Sequence, residues 1–586
     1  MRRPHPAALG LLFLWGAAVA VVAVLAGRFW IPLDDGTLAQ SAERVLLGQL
    51  PHRDFGDPYS GLNAVLGAVA FKVLGVRLMS LRIPLVVGFA LWLPTVWSLA
   101  RGMVGPRAAL VATTLAGTLS VLAYPAAMPT WYGLFLATWG CWLLIRWSDA
   151  PRRGLLLAVG AVAGVATLFK VVGLYLLAAA LLGVAWRRSD GTRAFATVAT
   201  LSVAAFLVVL AVLVLPRSSA VGAYHFLLPA AALCGGLVAR AWTIRDADAV
   251  GGGGLGALVG DGAVLWVGAL LPVAIFLVPY ASSGAVGAWA EGVFLLPGRR
   301  FQAAASPPGP LWTVVPGLAA VVLAGVAVRL SREGERRLAT AVAAALALAL
   351  ALDDRFGGAV MSALWYSARG WIPALAILCA MRQRRLDGAG FLLLVTAGLW
   401  ALVQFPYAAP AYFFYVAPLG VLATLGAVRA GILRAGPLLG LMASVYLFLG
   451  AGYVTGVAAS ANHPLQAPRG DILVPAADAA VYDALVSAVS DHLGAGALWA
   501  GPDAPEVYFL AEAPNPTPTL YEFLDTSPFS AQDMEALASD HGVSVVVVNT
   551  RPLFSPPLDP ETLETLVSTF PESRSAGPFI VRWRSP

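Results

Sequence analysis

The sequence predicts an all-α polytopic membrane protein with a small C-terminal soluble α/β domain, and two observations lead to this prediction. The first is composition: 59% of the 586 residues are hydrophobic and only 12% are charged, whereas soluble domains carry about 25% charged residues. The mean hydropathy of +0.77 agrees. A single aqueous core could not bury so many apolar runs, so we expect most of them to lie in a bilayer.

The second observation is that charge is unevenly distributed along the chain. Residues 460–586 hold 16 acidic and 5 basic residues, while residues 1–459 hold 16 acidic and 33 basic residues. This asymmetry predicts that the two parts face different surroundings. The mild net charge of +6 gives no reason to expect a nucleic acid partner, and the three cysteines have no metal-ligand spacing.

The apolar runs predict about 13 to 15 transmembrane helices, since each span needs about 20 mostly apolar residues. They begin near residues 9, 79, 107, 131, 154, 171, 194, 221, 262, 311, 337, 364, 390, 411 and 436. Basic clusters fall in alternate connections if the N-terminus lies inside, which is where short loops collect Arg and Lys. This predicts a bacterial cytoplasmic membrane protein, with the first loop and the C-terminal domain outside.

Two domains are expected. Residues 1–459 form the transmembrane domain, in which residues 29–78 are the first outer loop, and residues 460–586 form an extracytoplasmic α/β domain. In the second domain, helical patterns near 477–493, 530–540 and 559–570 alternate with β-like runs at 497–500, 543–548 and 579–583. We expect this domain to bind an acceptor or cover the active site.

The first outer loop has the residues best suited to chemistry. Asp34 and Asp35 come directly after the first span, and an amphipathic segment, 37–48, and an apolar segment, 59–75, predict interfacial helices that hold them near the bilayer. One carboxylate can take a proton from an acceptor while the other orients it or binds a divalent cation such as Mg or Mn. The alternative is structural: Asp35 caps a helix that begins at Thr37.

The string from Asp34 to Phe55, placed directly after the first span, resembles the first outer loop of the C-type (GT-C) polytopic membrane glycosyltransferases. These include the protein O-mannosyltransferases and the lipid A aminoarabinose transferases. Later landmarks of the loop match at Gly48, Pro51, Arg53, Asp54, Gly75 and Arg82. The chain departs from the aminoarabinose transferases at 57–61, where Asp-Pro-Tyr-Ser-Gly replaces a Lys-Pro-Pro motif, so the donor sugar and the acceptor stay open.

The resemblance implies a transferase that uses a polyprenyl-phosphate sugar donor, with Asp34 or Asp35 as catalytic base. Arg53, Asp54 and Asp57 are then expected to bind substrate or phosphate. No cofactor is required, although the two aspartates could hold a metal ion. The expected partners are the lipid bilayer, the lipid-linked donor and a glycan, lipid or protein acceptor.

Cations at the outer side of the membrane part are candidates for binding the donor phosphate. They are Lys170, Arg299, Arg300 and Arg369. Lys170 and Arg369 lie at a depth where ionisable groups are costly to bury and therefore mark functional sites, whereas Arg299 and Arg300 lie on an outer loop, against the rule that basic clusters lie inside. Each has a structural alternative: a snorkelling lysine for Lys170, an interfacial anchor for Arg369, and a solvated loop near lipid headgroups for the arginine pair. Tyr407, Tyr412 and Tyr415 predict an aromatic outer mouth.

The sequence thus predicts an integral membrane glycosyltransferase. A transporter or flippase of a lipid-linked glycan is one alternative, but it predicts internal repeats and mid-membrane charges. A glycan polymerase or ligase is another, which would place its chemistry in a large outer loop late in the membrane part. The paired carboxylates of the first loop favour the transferase.

Overall fold

The computed structural model describes residues 6–28, 30–218, 220–243, 253–299, 305–309, 312, 314–356, 358–525 and 529–584. Helices dominate these residues, and strands occur only in two small sheets near the C-terminus. The expectation of an all-α polytopic membrane fold with a small C-terminal α/β region is therefore confirmed.

The described residues of the first half of the chain form eleven α-helices. They are α1 (Pro6–Ala26), α2 (Pro32–Leu46), α3 (Leu62–Leu74), α4 (Leu78–Met103), α5 (Pro106–Thr118), α6 (Pro129–Asp149), α7 (Arg153–Phe169), α8 (Leu174–Arg188), α9 (Arg193–Val214), α10 (Ala220–Thr243) and α11 (Gly254–Phe276).

In the rest of the membrane part, the residues that the structure describes form nine further α-helices. They are α12 (Val278–Ser282), α13 (Val286–Phe294), α14 (Val314–Ala327), α15 (Arg332–Ala351), α16 (Ala359–Met381), α17 (Gly388–Trp400), α18 (Pro410–Phe414), α19 (Ala417–Arg429) and α20 (Pro437–Ser460).

Eight of the described helices are long and apolar enough to cross a bilayer by themselves. Six more described segments are apolar helices of 10–17 residues, which is shorter than the length that normally spans. Each predicted span falls at or beside one of these helices or beside α6 or α15. The sequence thus located the membrane helices well.

Close backbone contact between α7 and α11 fixes the position of the chain after α7. Gly160 and Gly164 of α7 face Leu265 and Ala269 of α11 so closely that a Cβ on either glycine would overlap a carbonyl oxygen of the facing helix. Small residues allow this kind of packing between membrane helices. α7 ends at Phe169, and Lys170 is the residue that directly follows this packed helix.

The C-terminal region has a mixed four-stranded sheet in the order β3-β4-β6-β5, with α21 (Ala476–Leu493), α22 (Pro505–Leu510), α23 (Ala531–Asp540) and α24 (Pro560–Thr569). The strands are β1 (His463–Pro464), β2 (Leu473–Val474), β3 (Ala497–Gly501), β4 (Val543–Asn549), β5 (Glu572–Ala576) and β6 (Phe579–Trp583). β3 and β4 are parallel, and β6 pairs antiparallel with β4 and β5. β1 and β2 form a separate antiparallel pair.

This region closely follows the sequence prediction. The three predicted helices correspond to α21, α23 and α24, and the three β-like runs correspond to β3, β4 and β6. The exposed strand β5 and the short buried helix α22 were missed, because neither has a run of alternating or periodic apolar residues long enough to be recognised.

Candidate active site

The helix that carries the carboxylate pair begins five residues earlier than expected. α2 starts at Pro32, whose ring presets the backbone for a first helical turn, with the extended residue Ile31 as its N-cap. Asp34 and Asp35 therefore lie in the first turn, where the helix dipole favours negative charge. The alternative that Asp35 caps a helix beginning at Thr37 is wrong, although its carboxylate does accept a hydrogen bond from the Ile31 N–H (3.1 Å).

Asp35 is buried in an ion pair with Arg82 of α4. Its Oδ2 lies 2.7 Å from Arg82 Nη2, and the two side chains are 2% and 0% exposed. Arg82 also donates to the Ala26 carbonyl at the end of α1. Burial raises the pKa of Asp35 above its ordinary value, and the Arg82 guanidinium opposes that rise. This carboxylate joins three helices and is poorly placed to meet a substrate.

Asp34 has a different environment. Its side chain is only partly buried, and the Tyr124 hydroxyl donates a hydrogen bond to its Oδ2. Burial, and next the nearby Asp34 carboxylate, raise the pKa of Tyr124 well above its ordinary value, so the phenol keeps its proton and remains the donor. Of the two predicted catalytic residues, Asp34 is the less buried.

A pocket with a cavity volume of about 160 Å3, partly open to solvent, lies beside the first loop. It is lined by Pro58, Tyr59, Ser60, Lys170, Val171, Val172, Tyr175, Leu210, Leu213, Val214, Val293, Pro297, Leu402, Val403, Phe405, Pro406, Tyr407 and Tyr412. Its walls are mostly apolar, and Lys170 is its one cationic lining residue among the described residues. Leu213 of α9 is 49% exposed, so the pocket reaches a helix whose surface suits contact with lipid.

The amine of Lys170 lies between two aromatic rings. Its Nζ is 5.9 Å from the ring centroid of Tyr59 in the first loop and 5.4 Å from that of Tyr412 in α18. It is also 3.4 Å from the Thr130 hydroxyl, which it can reach as a donor. Ring faces attract cations without neutralising them. Lys170 thus presents a positive charge where the first loop, α6 and α18 meet.

Aromatic side chains connect Asp34 to this pocket. Trp131 donates from Nε1 to the Tyr124 carbonyl (2.9 Å), and its ring packs edge-on against Tyr415 at 4.4 Å between centroids. Tyr415 in turn packs against Tyr412 at 5.4 Å. Contacts therefore run without a break from Asp34 through tyrosines to the pocket that contains Lys170.

The other predicted residues of the first loop form local contacts. Arg53 and Asp54 make an ion pair (2.6 Å) at the surface, and Asp54 Oδ2 accepts the Leu50 N–H (2.7 Å). Asp57 is buried, and its Oδ1 accepts the Tyr59 N–H (2.7 Å). Desolvation raises the pKa of Asp57. These contacts shape the loop that leads to Tyr59, and substrate binding by the three residues stays a prediction.

The predicted arginines differ in position. Arg299 lies two residues after the pocket residue Pro297. Its Nη1 donates to the Leu524 carbonyl of the C-terminal region. Arg369 is buried, and its guanidinium donates to the carbonyls of Pro308 (3.2 Å), Ala408 (2.6 Å) and Ala409 (2.5 Å). This geometry favours a structural role for Arg369. Arg300 lies outside the described residues.

Sequence reasoning missed Tyr124 as a site residue, because it lies just beyond a span and belongs to no local pattern. It also missed the role of Tyr59, although the aromatic mouth formed by Tyr407, Tyr412 and Tyr415 was predicted. In the part of the chain that the structure describes, no three His, Cys, Asp or Glu side chains are grouped so that they could hold a metal ion. Metal binding by Asp34 and Asp35 stays a prediction.

Comparison with known proteins finds solved structures that this structure resembles. No family model matches the chain, and no curated protein matches its sequence. The structure is similar to ArnT from Cupriavidus metallidurans bound to undecaprenyl phosphate, with 15% identity over 98% of each chain and a TM-score of 0.37. It is also similar to the oligosaccharyltransferase of Archaeoglobus fulgidus in complex with Zn and sulfate, with 13% identity over 92% of this chain and 68% of the other and a TM-score of 0.43.

A third similar structure is the archaeal oligosaccharyltransferase AglB from Archaeoglobus fulgidus with an inhibitory peptide and a dolichol-phosphate. It has 11% identity and a TM-score of 0.42, and covers 92% of this chain and 69% of the other. ArnT and AglB are both C-type glycosyltransferases, the class that the first-loop motif resembles. At these identities and TM-scores the superpositions do not establish an activity, so the function depends on the site itself.

Proposed function

We propose that the chain is an integral membrane glycosyltransferase that moves a sugar from a polyprenyl-phosphate donor to an acceptor at the outer face of a bacterial cytoplasmic membrane. The acceptor is a hydroxyl group on a lipid, glycan or protein. The observation that carries the proposal is the pocket beside the first loop, where a single lysine amine stands among apolar walls and aromatic rings, joined by tyrosines to a partly exposed aspartate.

The pocket suits the lipid end of such a donor. A polyprenyl phosphate combines a long apolar chain with one anionic head, which is the combination offered by the α9 side chains and Lys170. The rings of Tyr59 and Tyr412 lie close to the amine and attract its charge without neutralising it, and an ammonium group donates charge-assisted hydrogen bonds to a phosphate. The rings also offer flat faces of the kind that pack against sugars.

Asp34 then acts as the base. Its carboxylate takes the proton of the acceptor hydroxyl as the acceptor oxygen forms a bond to the anomeric carbon. The bond from that carbon to the phosphate oxygen breaks, and polyprenyl phosphate leaves with the bonding electron pair. Lys170 balances the charge that develops on the phosphate. A single displacement of this kind inverts the anomeric centre.

Tyr124 and Arg82 support this chemistry without touching the reacting atoms. Tyr124 donates to the Oδ2 of Asp34 and so holds the carboxylate in one orientation. Arg82 holds the neighbouring Asp35 in an ion pair. Asp35 therefore has a structural role, and Asp34 alone acts as the base.

The experiment uses the purified full-length chain in lipid nanodiscs with a panel of undecaprenyl-phosphate-linked hexoses and pentoses. Acceptors are membrane lipids, envelope glycans and peptides, and release of undecaprenyl phosphate is measured by mass spectrometry. We expect turnover of at least one donor, lost in Asp34→Asn and retained in the control Asp491→Asn, which changes an exposed carboxylate of α21. Absence of turnover with the whole panel, or full activity of Asp34→Asn, would disprove the proposal.

A further inference from the structure

The C-terminal region is attached to the first loop through its main chain. The Arg44 guanidinium of α2 donates to the carbonyls of Asn515 (3.2 Å) and Thr517, and the Gly56 N–H donates to the Pro518 carbonyl (2.9 Å). The segment 515–521 therefore lies along α2, and its last residue, Tyr521, reaches the start of that helix.

At that point three oxygen atoms form a closed triangle. The Thr37 hydroxyl is 2.7 Å from the Leu33 carbonyl oxygen and 2.5 Å from the Tyr521 hydroxyl, and the Tyr521 hydroxyl is 3.2 Å from the same Leu33 oxygen. Thr37 and Tyr521 are both buried, so these contacts are shielded from water. A hydroxyl of the C-terminal region thus binds the peptide group that joins Leu33 to Asp34.

The orientation of this peptide group decides where the Asp34 side chain points. The N–H groups at the start of a helix lack the intrahelical partners that those of its interior have, so the geometry of the first turn depends in part on external contacts. A rotation of the Leu33–Asp34 peptide would turn the Asp34 carboxylate away from Tyr124 and would also separate the Leu33 oxygen from Tyr521. The triangle and the Asp34–Tyr124 hydrogen bond therefore hold the same turn from two sides.

A second contact restricts movement of the turn. Gly36 packs against the backbone of Glu506 in α22, where a Cβ added to Gly36 would lie 2.5 Å from Glu506 Cα. The first turn of α2 is thus enclosed by Arg82 and Tyr124 of the membrane part and by Tyr521 and Glu506 of the C-terminal region.

We propose that Tyr521 is a positioning residue for the transfer reaction, which makes the C-terminal region a structural part of the catalytic site. Through the Thr37 hydroxyl and the Leu33 carbonyl it sets the direction of the Asp34 carboxylate. This inference rests on the proposed function, since it concerns how Asp34 is held for that reaction.

The surroundings of Tyr521 allow a precise test. Its ring packs between Phe523 (5.3 Å between centroids) and Phe554 (6.3 Å), so Tyr521→Phe removes the hydroxyl while leaving the ring its neighbours. Thr37→Val removes the other hydroxyl with little change of shape, and Thr37→Ser keeps it. Tyr508→Phe is the control, because its hydroxyl accepts the Ala500 N–H inside the C-terminal region.

The nanodisc assay is repeated with these variants and with the donor that the wild-type chain turns over. We expect Tyr521→Phe and Thr37→Val each to lower kcat about tenfold with an unchanged donor KM, because a small misplacement of a reacting group is costly. Thr37→Ser and Tyr508→Phe should keep nearly full kcat. The double variant should be no slower than either single variant, because both act through one hydrogen-bonded unit.

The results distinguish failure of the positioning role from failure of the proposed function. If Asp34→Asn is inactive while Tyr521→Phe and Thr37→Val stay within twofold of wild-type kcat, the positioning role is wrong and the proposed function stands. The positioning role is also wrong if the two losses add in the double variant. If Asp34→Asn is fully active, the proposed function itself fails.

Discussion

Arg82 Nη2 lies 2.7 Å from Asp35 Oδ2 in a fully buried ion pair, whereas the adjacent Asp34 is only partly buried and accepts a hydrogen bond from Tyr124. Two neighbouring carboxylates on one helical turn thus have different surroundings. Asp35 joins α1, α2 and α4 through Arg82, and Asp34 is the residue that we propose as the base. The difference follows from their directions on the helix, because consecutive residues point about 100° apart.

The first prediction distinguishes these two roles. Asp35→Asn should lower the free energy of unfolding by about 3–5 kcal/mol, because it leaves the Arg82 guanidinium buried without its counter-charge. Asp34→Asn should unfold close to the wild-type temperature but lose transfer activity. Thermal unfolding followed by tryptophan fluorescence checks both. Equal destabilisation by the two variants would show that the carboxylates are not divided in this way.

The second prediction concerns Lys170. Lys170→Met should weaken binding of undecaprenyl phosphate about tenfold, since a hydrogen bond to a charged group contributes about 1.5–3 kcal/mol. Lys170→Arg should retain part of the affinity because it keeps the charge. Titration monitored by native mass spectrometry gives the affinity. Lys72, the only other lysine, is exposed on α3, so Lys72→Met is the matched control, and equal affinities of the two Met variants would remove Lys170 from the site.

A third prediction uses the contact between Gly36 and Glu506. Gly36→Ala should lower both activity and thermal stability, because the added methyl group overlaps the Glu506 backbone and must push α2 away from α22. Gly102→Ala is the control, since no atom lies within 4 Å of the position of its Cβ. Activity and unfolding temperature are measured for both. A Gly36→Ala chain that behaves like Gly102→Ala would mean that α2 tolerates movement.

The fourth prediction is a pH dependence of stability. Burial raises the pKa of Glu506 from 4.5 to about 7, while the Tyr482 hydroxyl, 3.0 Å from its Oε1, opposes the rise. Between these values the folded chain binds more protons than the unfolded chain, so the contribution of Glu506 to stability is lost as the pH rises from about 4.5 to about 7. The loss amounts to about 3 kcal/mol at most.

Glu506→Gln tests this directly, because the amide resembles the protonated acid and can still accept the Tyr482 hydrogen bond. The variant should unfold at a higher temperature than wild type near pH 8 and at a similar temperature near pH 5. Burial also raises the pKa of Glu522 to about 8, so the variant keeps some pH dependence and the difference between the two chains is the quantity to compare. A difference that does not change with pH would contradict the assignment.

Much of the fold could be predicted from local patterns. Long apolar runs located the membrane helices, and the alternation of helical and β-like runs located α21, α23, α24, β3, β4 and β6. The start of α2 was misplaced because the apolar pattern begins at Leu38, while the true start depends on Pro32 and on contacts of its first turn. Periodicity reports which face is buried and is least informative at helix ends.

The candidate site could be predicted only in part, because its members are far apart in the sequence. Asp34 and Asp35 were conspicuous as charges beside a membrane span, and Lys170 as a charge inside an apolar run. Tyr124 had no such signal, since a tyrosine near a span end is typical of any membrane protein. Its importance comes from the hydrogen bond to a residue 90 positions away.

Composition and hydropathy are enough to identify a membrane protein with a carboxylate pair in its first loop, because these properties need no folding. The surroundings of that pair come from the tertiary structure. Arg82 neutralises Asp35, Tyr124 and the Leu33–Thr37–Tyr521 contacts hold the turn that carries Asp34, and the pocket brings Lys170 beside Tyr59 and Tyr412. Burial and hydrogen bonding between distant segments set these roles, and they exist only once the helices and the C-terminal region have packed together.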